Sequence, residues 1–338
     1  MSEKITLKPN IHLGIVPTHL RFVGALLPDD NGKLPRNDAG EMLVVKGVSD
    51  LLEVSPVAFS CVQVSLFPGT QTEELDVLVA GLKALGLDVD FVLMLGGVNP
   101  MNPADEDGVI GQLLPSLKAA VKHGATHVSS TSIEDWMCAD EPLEGAELEA
   151  GIAQNVKVHV RAYEEAGLAD SSVESWNIEF LRPGEFKNFT SLEKGWKMIS
   201  AINKSLGKKF FKILVDAAHC GDSGVPIAEN EALIAKIAEA KELGVFHASA
   251  KTTRGCLSSD DGWVAAILTA MAKTGELQHV YVEMFDHQDE ALGALRDLEP
   301  GHGVDTTGGR SYTDVMADGL GDVARRLNNL EARGILKS

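Results

Sequence analysis

The sequence predicts an α/β protein built as a single (β/α)8 barrel, and three observations carry that prediction. Eight short runs rich in β-branched residues recur along the chain, and helix-period stretches lie between them. Their spacing, roughly 30 to 45 residues, is that of a barrel repeat and extends over the full length. Residues 1–338 are therefore read as one domain. A doubly wound open sheet is the runner-up, weakened because no Gly-x-Gly-x-x-Gly turn follows an early strand.

In chain order, the first strand is expected at 12–16 (HLGIV), followed by a long first-loop excursion, 26–45, rich in Pro, Gly and Asp. Strands follow at 59–66 (FSCVQVSL), 89–95 (VDFVLML) and 126–132 (THVSSTS). The second half supplies 175–180 (SWNIEF), 211–216 (FKILVD), 245–250 (VFHASA) and 279–285 (HVYVEMF). Helical periodicity marks 72–87, 108–124, 191–207 and 230–244, with Thr72 and Ser191 as expected N-caps. Gly86, Gly124, Gly207 and Gly244 stand where left-handed C-caps are wanted. An extended C-terminal tail, 301–338, carries a Gly-rich loop and a last helix. Long segments of this kind form lids or subunit contacts, and the two together predict a homo-oligomer, a dimer or tetramer.

Composition narrows the partners. Asp and Glu number 49 against 30 Lys and Arg, a formal charge of −19. Such a chain repels phosphate backbones and anionic headgroups, so neither nucleic acid nor a membrane surface is expected. The amino terminus MSEKITLKPN lacks the apolar core of a signal peptide, and no apolar run is long enough to span a bilayer. The four cysteines, Cys61, Cys138, Cys220 and Cys256, lie far apart with no CxxC pair, the usage of a reducing cytoplasm. A cytoplasmic enzyme is the expectation.

Barrel chemistry sits at the carboxyl ends of the strands. There the sequence places Glu179 on strand five, Asp216 on strand six with His219 just beyond, His247 on strand seven and Glu283 on strand eight. One such carboxylate is ordinarily a helix cap, and one such histidine a hydrogen-bonded core residue. Four on consecutive strands would crowd three carboxylates into one mouth, and a cation between them is the natural solution. Three oxygen donors and one imidazole suit Mn2+, Mg2+ or Co2+ better than a structural zinc. Such an ion acidifies the C–H beside a bound carbonyl, and Glu179 and Glu283, on opposite flanks, are the candidate acid and base.

At these residues the chain resembles the xylose isomerase-like TIM barrel superfamily, in particular its ketose 3-epimerase (tagatose and psicose epimerase) branch. The resemblance rests on Glu179 and Glu185 in EFLRPGE, on Asp216 and His219 in DAAH, on His247, and on Glu283 and Phe285 in VYVEMFD. It implies that Glu179, Asp216, His247 and Glu283 hold Mn2+ or a similar ion, with Glu179 and Glu283 as the acid/base pair. It further implies that Glu185 and His219 contact substrate oxygens. The family's arginine after the strand-seven histidine is matched by Arg254, displaced by one residue, with Lys251 as a competitor. The implied activity is a metal-dependent sugar isomerase or epimerase acting on a ketose or related keto-sugar. A lyase or dehydratase on a keto-inositol or 3-keto-glycoside is the alternative at the same site. The amino-terminal half matches only in its β/α rhythm, and its strand-end residues Thr18, His19, Glu134 and Trp136 are where specificity would be set.

Other readings fare worse. The basic trio Arg182, Lys251 and Arg254 could serve a carboxylate or phosphate, although solvated loop charges are the plainer reading. A barrel endonuclease needs more histidine ligands and a basic groove. A non-catalytic scaffold predicts degenerate strand ends, whereas all four are competent. The stretch VDAAHCGDSGVP, 215–226, contains both search strings of a trypsin-like protease, Ala-Ala-His-Cys and Gly-Asp-Ser-Gly. His219 and Ser223 stand four residues apart on one loop, so the strings are a coincidence of small turn residues.

Overall fold

The computed structural model describes residues 4–17, 26–138, 141–250 and 260–337. Eight parallel strands close on themselves in chain order. They are β1 (His12–Val16), β2 (Cys61–Leu66), β3 (Asp88–Leu93), β4 (His127–Ser130), β5 (Ser175–Glu179), β6 (Phe211–Asp216), β7 (Leu243–Ala248) and β8 (His279–Glu283). Closure runs through β1 and β8, whose register pairs His12 with His279 and Val16 with Glu283.

The helices around this barrel are α1 (Leu43–Val54), α2 (Thr72–Ala84), α3 (Glu106–His123), α4 (Gly145–Glu165), α5 (Leu192–Leu206), α6 (Ala217–Asp222), α7 (Ile227–Glu239), α8 (Trp263–Lys273), α9 (Gly293–Leu298) and α10 (Tyr312–Ala332). The last of these packs on α1, α8 and β8, so the helix of the tail is the one that completes the ring. None of the described helices is long and apolar enough to cross a membrane.

Alternation along each strand separates two environments. Leu13, Ile15, Val62, Val64, Phe91, Val128, Trp176, Ile178, Ile213, Phe246, Val280 and Val282 face the helices and belong to the main apolar core. The inward face carries Gln63, Asp90, Ser129, Asn177, His247, Tyr281 and Glu283, all buried, with a small apolar cluster of Val16, Cys61, Leu214, Val245 and Tyr281. Barrel interiors are ordinarily filled by branched aliphatic side chains. Here hydrogen bonds do much of that work: Tyr281 Oη donates to Asp90 at 2.8 Å, Gln63 Nε2 to Ser129 Oγ at 2.8 Å, and Asn177 Nδ2 to Ser175 Oγ at 3.2 Å. Tyr281 also explains Gly14, because a Cβ there would lie 2.9 Å from the tyrosine ring and 2.5 Å from Cys61 Sγ.

The expected strands are all present, with ends moved by at most two residues. Gly124 and Gly207 cap α3 and α5 in the left-handed conformation, and Ser191 caps α5 by accepting from the Lys194 amide. Two expected caps do not hold. Thr72 is the first residue of α2, preceded by Gln71, which makes no side-chain cap. Gly244 lies within β7, where any Cβ would collide with Asn177 Oδ1, and Lys241 makes the left-handed turn instead (φ 60°). A glycine can mark close approach as well as a turn, and the sequence does not separate the two.

At the amino-terminal mouth three imidazoles meet. His12 stacks on His279 with centroids 4.7 Å apart, and His127 meets His279 edge-on at 4.4 Å. Burial, then the neighbouring His127 and His12, push His279 down to about 3, and burial lowers His127 against the pull of Asp90. Imidazoles depressed in the folded state favour folding above their unfolded pKa and lose that contribution as pH falls. Thermal stability is therefore expected to drop as pH falls from about 6.5 toward about 3, and His279→Gln to flatten that slope in melts run across this range. Equal slopes for the two proteins would contradict this account of the mouth.

Candidate active site

At the opposite mouth the ends of the last four strands converge. Glu179 ends β5, Asp216 ends β6, Glu283 ends β8, and His247 is the penultimate residue of β7. Asp216 and His247 are direct register partners, which sets them side by side on the inner wall. Each of the four offers one ligand atom, these atoms all lie within 4.8 Å of one another, and all four residues are buried.

The electrostatics of the cluster suit a cation. His247 Nδ1 lies 3.5 Å from Glu283 Oε2 and 3.9 Å from Glu179 Oε1. It is buried and makes no hydrogen bond among the described residues, whereas Nε2 lies 2.8 Å from Gln63 Oε1. A neutral imidazole that gives its Nε2–H to Gln63 turns the Nδ1 lone pair toward the carboxylates, an arrangement that a positive charge between them would relieve. The residues present thus fit a divalent ion, with three carboxylates and one imidazole around one point.

Two neighbours are equally ordered. The Asp216 carboxylate caps α6, Oδ1 accepting from the His219 amide at 2.8 Å, and this brings the His219 ring back over the cluster. His219 Nδ1 accepts from the Arg182 amide at 3.0 Å, so its proton sits on Nε2, 3.5 Å from Glu179 Oε1. Glu185 Oε1 accepts from Arg182 Nε at 2.7 Å, and Oε2 from Trp136 Nε1 at 3.2 Å. Arg182 itself is buried and also pairs with Glu299 at 2.5 Å and Asp222 at 3.7 Å. It is thus not a solvated loop charge. Burial raises the Cys220 thiol well above its usual range, which leaves no reactive cysteine in the protease-like string.

Glu179, Glu185, His219, His247 and Glu283 form the polar wall of a cavity of about 180 Å³. The facing wall is apolar: Phe67, Met94 and Leu95 from the first half of the chain, and Phe285, Leu292 and Leu295 from the segment after β8. A larger groove, about 580 Å³, lies outside the barrel between α7 and α8, far from the strand ends and lined by Ala232, Ala235 and Ala270. The four-residue cluster, not cavity size, marks the site.

Glu134, expected to help set specificity, is structural. Its carboxylate accepts the amides of Lys187, Asn188 and Phe189 at 2.7–3.0 Å and so pins the loop that carries Glu185. Trp136 does line the cavity. Thr18, His19, Lys251 and Arg254 lie outside the described residues. Gln63 was not anticipated, although one amide in an apolar strand, CVQVSL, was a visible signal.

No protein-family model and no curated protein matches the sequence. Solved structures do match it. An L-ribulose 3-epimerase superimposes with a TM-score of 0.73 at 14% identity, covering 96% of this chain and 97% of its own. A D-allulose 3-epimerase from Methylomonas sp. gives 0.71 at 14% identity over 95% and 99%. The IolI protein, with a bound zinc atom, gives 0.59 at 13% identity over 92% and 99%. At these identities the likeness is one of fold: the chain shares the closed (β/α)8 barrel of these proteins.

Glu134 supplies an internal test of the site's construction. Glu134→Ala removes one charged acceptor from three amides and is expected to cost roughly 2–3 kcal/mol in chemical denaturation. An unchanged midpoint would mean that the loop is held by other contacts.

Proposed function

We propose that this barrel, whose fold is shared with ketose 3-epimerases, is itself a divalent-metal-dependent sugar epimerase or isomerase. Its reaction would move a proton on the carbon beside the carbonyl of a ketose or related keto-sugar. The observation that carries the reading is the buried cluster of Glu179, Asp216, His247 and Glu283 at one mouth. Those four residues would hold the ion, with Mn2+ the best match to their donors and Mg2+ or Co2+ as substitutes. When bound, the ion supplies Lewis-acid polarisation of the substrate carbonyl, which acidifies the neighbouring C–H.

The chain's own groups do the rest. Glu179 and Glu283 stand on strands at either side of the cluster, so a carbon between them presents one face to each carboxylate. One carboxylate takes the proton while the C–H pair becomes part of an enediolate. The other returns a proton to the opposite face, inverting that carbon, or a proton is returned to the former carbonyl carbon, giving the isomer. His219 donates its Nε2–H to a substrate oxygen, and Glu185, held by Arg182 and Trp136, accepts a substrate hydroxyl. Arg254, placed just after His247 in the sequence, is assigned a further substrate contact. The apolar wall limits water around the enediolate and so protects it from side reactions.

The test is exchange. Metal-loaded protein in D2O is expected to incorporate deuterium beside the carbonyl of a competent ketose, followed by NMR across a panel of free sugars. Glu283→Gln should lower the exchange rate by about 10²–10⁴-fold. Loss of water or of an aglycone without an isomeric sugar product, or full activity in metal-stripped protein, would contradict the proposal.

A further inference from the structure

Gln63 stands in the middle of β2, fully buried on the inward face of the barrel, where an aliphatic residue would be the ordinary choice. Its carboxamide bridges the interior. Nε2 donates to Ser129 Oγ on β4 at 2.8 Å, and Oε1 lies 2.8 Å from His247 Nε2 on β7. Ser129 and His247 are each 1% exposed, so no water competes for either bond.

We infer that Gln63, oriented by Ser129, is a positioning residue that fixes the tautomer and ring plane of His247 and so presets Nδ1 for a divalent ion. The inference rests on the metal reading above. With the amide N–H directed to Ser129, only the carbonyl oxygen can meet the imidazole, and it accepts the Nε2–H. The ring proton is then held away from the carboxylates, and the lone pair on Nδ1 points at the ligand atoms of Glu179 and Glu283. A reversed amide would present an N–H to Nε2, drive the ring proton to Nδ1 and place it where the cation belongs. An apolar residue at 63 would leave the ring free to take either tautomer and would leave the buried Nε2–H without an acceptor. Partners of this kind, one bond beyond the ligand, raise the basicity of a ligating histidine and are worth 10–100-fold in metal affinity.

The experiment is calorimetric titration of Mn2+ into chelator-stripped full-length protein, with melting of the metal-free forms as a control. Gln63→Met, near in length but without an acceptor, is expected to bind Mn2+ about 10–100-fold more weakly. Gln63→Glu keeps an acceptor and is expected to bind at least as tightly as wild type. Ser129→Ala, which frees the amide to turn, should weaken binding by a smaller factor. A residue that merely fills space would lower the metal-free melting temperature and leave affinity unchanged. Wild-type affinity in folded Gln63→Met overturns the inference, as does equal loss in the Met and Glu variants. If Gln63→Met does not fold, wild-type affinity in Ser129→Ala overturns it. A wild-type protein that takes up no Mn2+ instead overturns the metal reading itself.

Discussion

Three carboxylates and an imidazole share one buried point at the mouth of the barrel, and the surrounding structure is arranged so that this concentration of negative charge can exist. Buried carboxylates cost several kcal/mol each when uncompensated, so positive charge or protons near the cluster stabilise it. Two of its members are also denied freedom to turn away. Asp216 is tied to the α6 amide of His219, and His247 to Gln63. Glu185, at the edge, is clamped by Arg182 and Trp136.

That constraint reaches down the axis of the barrel. A fold that elsewhere fills its interior with branched aliphatics here uses Gln63, Ser129, Asn177, Asp90 and Tyr281, each hydrogen-bonded to another interior group. The polar interior couples the two mouths through packing, since Tyr281 lies edge-on to His247 at 6.0 Å above and stacks toward His279 at 6.3 Å below. The loops obey the same logic. Glu134 and Arg182 are both buried charges, and both serve to hold the segment 182–189 over the cluster, the first by accepting its amides and the second by pairing with Glu185 and with Glu299 of the segment after β8.

Much of this was legible in the sequence because it is carried by local periodicity. The eight strands announce themselves as β-branched runs, and the four residues of the cluster fall at strand ends that those runs define. What was not legible depends on distant partners. Glu134 reads as a mouth residue until the amides of 187–189 are found to fold back onto it. Gly244 reads as a helix cap until Asn177 of β5, two strands away, occupies the space of its missing side chain. Arg182 reads as a loop charge, yet its partners Glu299 and Asp222 lie far along the chain. The apolar wall contributed by Leu292 and Leu295 follows a strand whose sequence says nothing about where the next segment returns.

The central claim is that the four strand-end groups form one ion site with the histidine engaged through Nδ1. Anomalous diffraction from crystals equilibrated with Mn2+ tests it most directly. The account predicts a single strong anomalous peak at bonding distance from Glu179, Asp216, Glu283 and His247 Nδ1, with Nε2 still on Gln63. A peak elsewhere, none at all, or a histidine turned to present Nε2 would contradict it.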